Sequence, residues 1–222
     1  MRKTGAATIA AALTFGSTTA LAQKAEFGSQ GTAAFSADRL FGFYAATEEL
    51  EFPAPVGDVE TDYSHFGFGW QGLIHGTPYS VPRFAFDYFI IDGLNIGGSI
   101  GYANIEVDPE GPPEGDRSAF IFAPRVGYVW MFSDVIGFWL RGGFTFHSME
   151  DDTGFVDDFE ESAFALTIDP VFPIFPTDHF GFVVGPVIDF SVTGERDVGP
   201  PLNDVDLNYR SFGITAGLIG YL

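Results

Sequence analysis

A single all-β chain closed into a barrel is what three features of this 222-residue sequence predict. The apolar stretches are short, alternate with small or polar residues, and are rich in Phe, Val, Ile, Tyr and Gly, which is the pattern of strands. The acidic residues are clustered: twenty-two of the thirty Asp and Glu fall in Thr47–Asp62, Glu106–Ser118, Glu150–Ser162 and Val192–Asp206, with only Arg117 and Arg196 as cations among them. These blocks carry Pro and Gly, as in Asp108–Pro113 and Gly199–Pro201, and read as loops. Between consecutive blocks there is room for two strands and a short connection. The prediction is an eight-stranded antiparallel up-and-down transmembrane β-barrel with all four acidic loops at one end.

Composition removes several function classes. The net charge is −20, yet 46% of residues are hydrophobic and 17% aromatic, so the chain is not of the disordered, highly charged kind. Such acidity opposes a phosphate backbone, and no nucleic-acid partner is expected. With no cysteine, disulfide frameworks, thiolate metal sites and cysteine nucleophiles are ruled out. His65, His75 and His179 are dispersed without metal-ligand spacing, and no cofactor is expected.

Taken in chain order, residues 1–22 read as a cleaved signal peptide. Arg2 and Lys3 precede the apolar stretch Gly5–Phe15, and Ala20-Leu21-Ala22 places small residues at the cleavage site. Residues 23–222 then form a single barrel domain, whose charge becomes −22 once Arg2 and Lys3 are lost. In the first strand Asp38 and Arg39 break the alternation and suggest a bulge. The connection His75–Gly93 is unusually apolar. Phe84, Phe86, Tyr88 and Ile90 alternate, which favours an extension of the third strand over an interfacial helix.

The remaining strands show two unlike faces. Phe120, Phe122, Val126, Tyr128 and Trp130 share one face of the fourth strand, opposite Ala123, Arg125 and Gly127. Phe138, Leu140, Phe144 and Phe146 oppose Trp139, Arg141, Gly143 and Thr145 in the fifth. Phe180, Phe182 and Ile188 oppose Gly181, Gly185 and Asp189 in the seventh, and Phe212, Ile214 and Leu218 oppose Gly213, Thr215 and Gly217 in the last. Alternation alone leaves open a soluble lipid-carrying barrel with the Phe face inside. An eight-stranded interior is only wide enough for modest side chains, so the Phe face is expected outside, against lipid. Trp130, Phe132, Phe138 and Trp139 flank the tight Ser133-Asp134 connection and are expected to form an aromatic belt at the membrane interface.

With signal peptide, alternating strands and long polar loops in place, residues 27–222 resemble the small outer-membrane β-barrels of Gram-negative bacteria, of the OmpX, OmpA and opacity-protein kind. Pro124–Tyr128, Trp139–Phe144 and the terminal strand Phe212–Leu222 are similar to strands of that domain family. The resemblance implies the bacterial outer membrane as location, outer-membrane lipid and lipopolysaccharide as surroundings, and a monomer. It also implies a C-terminal signal for the barrel-assembly machinery, here Phe212, Tyr221 and Leu222. Family members usually end in Phe or Trp, whereas this sequence ends Tyr221-Leu222.

Two sets of residues invite chemistry. Arg125, Arg141, Asp169 and Asp189 lie on the inward face of neighbouring strands and are expected to pair as a lumenal charge network, Arg141 with Asp169 above all. Glu150, Asp151, Asp152, Asp157 and Asp158 make the third loop the densest acidic run, a candidate for weak divalent-cation binding that lacks EF-hand spacing. No catalytic residues are assigned. His147 and Ser148 are adjacent and face opposite ways, and no nucleophile, base and orienting group come together. The function expected is a non-enzymatic barrel with a structural and surface-interaction role. The alternative is a narrow channel for small hydrophilic or amphipathic solutes.

Overall fold

The computed structural model describes residues 26–69, 78–107, 115–152, 159–197, 199 and 204–222. The signal-peptide segment 1–22, His75, Asp157 and Asp158 lie outside the described residues. Nine strands follow one another: β1 Ala33–Glu51, β2 Val59–Phe68, β3 Arg83–Ile91, β4 Leu94–Val107, β5 Gly115–Met131, β6 Gly137–Asp151, β7 Phe159–Ile174, β8 Phe180–Asp197 and β9 Asp204–Tyr221. Successive strands pair antiparallel except β2 and β3, which both pair with β1, and β9 returns to pair with β1 along Ala34–Glu51, closing the sheet.

The nine strands make eight staves, because β2 and β3 share one. The acidic-loop half of β1 pairs with β2, from Phe41↔Phe68 to Leu50↔Val59, and its other half pairs with β3, from Ala33↔Tyr88 to Asp38↔Arg83. This corrects the reading of His75–Gly93 as a connection that extends the third strand. Arg83–Ile91 completes the second stave, and the turn to β4 is Asp92-Gly93, with Ile91 facing Leu94. Gly93 takes φ +80°, the left-handed conformation that tight hairpins need and that only glycine adopts freely. Residues 69–82 are therefore an insertion within a stave. Among the described residues, β2 pairs only with β1, and the β4 segment from Gly101 to Val107 pairs only with β5.

The two-residue period sets which side chains meet lipid. Phe43, Phe66, Phe84, Tyr102, Phe122, Phe144, Phe182 and Ile214 all point outward and are exposed. A continuous apolar exterior of this extent has no stable state in water and requires a bilayer. At the tight-turn end Trp130 stacks on Phe138, which meets Phe172, so the belt is built from outward residues, with the exposed Phe132 beside it. Trp139 is not part of it. It follows Phe138 and so faces the opposite way, fully buried inside the barrel.

Small residues let the staves approach around a crowded interior. At Gly143 an added Cβ would stand 2.1 Å from the carbonyl oxygen of Pro124 and 2.8 Å from Arg125 Cα, backbone atoms that cannot yield. This close approach brings β5 and β6 together where Arg125 and Arg141 enter the lumen.

Candidate functional site

The lumen is filled in three tiers, and each is set by the alternation of the strands that line it. At the tight-turn end, Phe27 enters from the segment before β1. Its ring lies 5.3 Å from Phe89, 5.4 Å from Trp139, 4.8 Å from Phe175 and 5.5 Å from Tyr221. The segment is held by backbone bonds, with Gly93 N–H donating to Gly28 O at 2.7 Å and Gly31 N–H to Phe89 O at 2.8 Å. Tyr221 thus serves as a lumenal packing residue, while Phe212 and Leu222 of the terminal strand are exposed outside.

The middle tier is ionic: Arg39, Arg125 and Arg141 meet Asp38, Asp87, Asp169 and Asp189, and Arg83 beside them donates to the Thr145 hydroxyl and the Tyr79 carbonyl, all eight charges buried. Arg125 donates from Nη1 to Asp38 at 2.5 Å and grips Asp87 with Nη2 at 2.5 Å and Nε at 3.1 Å. Arg39 holds Asp189 with both terminal nitrogens, at 3.1 and 3.2 Å. Arg141 lies 3.1 Å from Asp38 and 3.5 Å from Asp169. Thr167 donates to Asp189 at 2.6 Å, and Asn95 donates to Asp87 at 2.7 Å. Four positive and four negative groups balance, so each buried charge has hydrogen-bonded company in a low-dielectric interior.

Two of the eight members of this tier, Asp38 and Arg39, escape a plain reading of alternation. Arg125, Arg141, Asp169 and Asp189 lie inside together, but Arg125 and Asp189 find their main partners in Asp87 and Arg39. The β1–β9 register shifts between Ala37 and Phe41, and Arg39 adopts φ +58°. This bulge turns two consecutive charges, Asp38 and Arg39, to the same face. Asp87 and Arg83 were within reach of the sequence, since they alternate with the outward Phe84, Phe86 and Tyr88.

The third tier comes from the insertion. Pro78–Ser80 forms a 3₁₀ turn whose residues are buried, and Tyr79 stacks on Tyr209 at 4.8 Å and edge-on against His147 at 4.9 Å. The carbonyl of Tyr79 accepts from Arg39 at 2.5 Å and from Arg83 at 3.3 Å, which pins the turn to the charged tier below. Beyond it, near the acidic rim, His147 Nε2 lies 3.1 Å from Glu161, and Arg196 bridges Glu161 at 2.5 Å to Glu48 at 2.7 Å. Tyr63 O–H reaches Glu48 at 3.4 Å.

Glu161 lies past the apolar band. Burial raises its pKa, but the His147 bond and the Arg196 charge outweigh burial and leave it below its ordinary value. Because its folded pKa is depressed, the stability this clasp contributes is present above the unfolded value of about 4.3 and is lost as pH falls below it. Wild type should therefore exceed Glu161→Gln in urea midpoint at neutral pH, and the difference should shrink on titration toward pH ~3.

Among the described third-loop acids, Glu150 and Asp151 do not converge. Glu150 points outward, while Asp151 turns inward and pairs with Arg117. The cause is again the strand period, since β6 runs through Asp151 and splits the neighbours onto opposite faces. Among the described residues, no group of three or more His, Asp and Glu is placed to hold a metal ion.

No protein-family model and no curated protein matches the sequence. Solved structures do share the fold. Outer membrane protein OprG from Pseudomonas aeruginosa matches at 9% identity and a TM-score of 0.50, over 87% of this chain and 97% of that one. Neisserial surface protein A matches at 15% identity and a TM-score of 0.43, over 81% and 96%. The outer membrane protease OmpT from Escherichia coli matches at 9% identity and a TM-score of 0.44, over 90% and 99%. With its closed antiparallel ring, lipid-demanding exterior and filled interior, the chain is an eight-stave β-barrel of the small outer-membrane type.

Proposed function

We propose that this is a monomeric, non-enzymatic barrel of the bacterial outer membrane that contributes to envelope structure and meets the surroundings of the cell through its acidic rim. One observation carries the proposal: the lumen is occupied at three successive levels, by the Phe27–Trp139 aromatics, the eight-charge tier and the Tyr79 turn. A shaft so filled among the described residues holds the staves together and supports a closed axis over an open aqueous path. Export of residues 1–22 as a signal peptide and assembly directed by Phe212, Tyr221 and Leu222 belong to the same proposal. His147 is committed to Glu161 and Tyr79, with no nucleophile joined to it among the described residues, which supports the non-enzymatic reading.

A channel for small hydrophilic or amphipathic solutes is favoured by one feature, the absence of a ladder between β2 and the acidic-loop half of β4 among the described residues. Planar-bilayer recording of the refolded protein separates the two readings. The filled lumen should give no steady single-channel steps, and reproducible steps would defeat the structural role.

A further inference from the structure

Seven arginines lie in the described strands, and six of them point into the barrel, each bonded to a carboxylate, a hydroxyl or a carbonyl. Arg210 is the exception: it is exposed on the outer face of β9, with no carboxylate within 4.0 Å among the described residues. Its position along the strand is specific. Toward the membrane the next outward residues are Phe212 and Ile214, both exposed, and toward the acidic end they are Asn208 and Asp206. Arg210 therefore stands on the boundary of the apolar band, where its stem can lie on hydrocarbon while its guanidinium reaches headgroup level.

Beside it runs a groove of about 680 Å³ on the outer face of β1, β2, β8 and β9. Ile188, Phe190 and Phe212 form its apolar wall, and the small side chains of Ala45 and Ser64 keep its floor low. Ala45 stands directly between Phe212 and Ser64, and one row higher Thr47 stands between Arg210 and Asp62. Asp62 is engaged by the Thr47 hydroxyl at 2.6 Å and lies two strands away from Arg210. The next row toward the membrane carries Phe43 and Phe66, so the groove is a local recess in an otherwise bulky surface.

We infer that Arg210 and this groove bind one phosphorylated outer-leaflet lipid, the lipid A part of lipopolysaccharide. Its phosphate sits on the guanidinium, and an acyl chain lies over Ala45 and Ser64 against Phe190 and Phe212. Guanidinium and phosphate match in charge and in bidentate geometry. The surrounding chemistry narrows the position further, because a chain of net charge −20 repels phosphorylated lipid elsewhere on its acidic end and, among the described residues, offers this one outward cation. The inference rests on the reading that the acidic loops face outside the cell.

The test is native mass spectrometry of the folded full chain in detergent, titrated separately with diphosphoryl lipid A, its dephosphorylated form and phosphatidylglycerol. Each variant is first checked for the folded, heat-shiftable band in unboiled electrophoresis. Wild type should retain one diphosphoryl lipid A about ten-fold more tightly than Arg210→Gln, with Arg210→Lys between them because a point charge replaces a fork. Ala45→Phe keeps the cation but fills the groove, and should also weaken retention several-fold. Millimolar inorganic phosphate should not displace the lipid. Equal retention by Arg210→Gln, indifference to the lipid's phosphates, equal binding of phosphatidylglycerol, displacement by inorganic phosphate, or an unaffected Ala45→Phe would each overturn the site. Labelling of a cysteine placed in an acidic loop on intact cells reports the orientation alone, so failure of that reading is told apart from failure of the site.

Discussion

Replacing Arg125 with methionine should lower the stability of the folded barrel by about 3–5 kcal/mol, the cost of stranding buried carboxylates. Its partners make the outcome specific. Asp38 keeps Arg141 at 3.1 Å, but Asp87 retains only the amide of Asn95 at 2.7 Å. Most of the loss should therefore come from Asp87. The double variant Arg125→Met, Asp87→Asn removes the stranded charge and should recover a large part of the loss, since a buried pair is worth little against a neutral replacement. The measurement is the urea midpoint followed by the folded band in unboiled electrophoresis. A double variant no more stable than the single one would show that Asp87 is not the group left exposed to the penalty.

Trp139→Ala should cost a similar amount, about 3–5 kcal/mol for a large aromatic removed from a packed core. Trp139 joins two tiers. Its ring meets Phe27 and Phe89 on the apolar side and lies 4.9 Å beneath the Arg141 guanidinium, while its N–H donates to Asn95 at 2.9 Å. Trp139→Phe keeps most of the apolar contact but leaves the Asn95 oxygen without this donor, and should cost about 1–3 kcal/mol. The order wild type, Phe, Ala in urea midpoint is the expected result. Equal losses for the two variants would mean that the hydrogen bond outweighs the packing.

How much of this was readable beforehand varies with range. Wherever one face is lipid-exposed and the other lumenal, alternation carried the answer, as in β5, β6, β8 and β9. Two errors came from reading segments by their nearness to turns and loops rather than by alternation and turn chemistry. The aromatic belt was read from nearness to a turn, so Trp139 was grouped with Phe138 although consecutive strand residues face opposite ways. The second stave was misplaced because its interruption between Phe68 and Arg83 reads like a loop between strands. The corrective signal was present in Asp92-Gly93, a strong hairpin dipeptide between alternating apolar runs. The Arg39–Asp189 pairing belongs to a different class. It joins residues 150 apart through a bulge, and no local pattern states which distant carboxylate a buried arginine will meet.

The seam between β1 and β9 has a consequence for how the barrel comes into being. Ala34 pairs with Tyr221, and Leu222 and Ala33 exchange backbone bonds at 2.9 and 3.1 Å. These partners lie in or beside the first and last strands, so the ring cannot close until β9 is in place. Until then every intermediate carries two raw edges, on β1 and on the last strand added, each able to recruit a foreign strand. Closing the ring joins strands far apart in sequence, a long-range pairing of the kind that slows folding. In an emerging polypeptide the vulnerable interval is the one before that zipper engages.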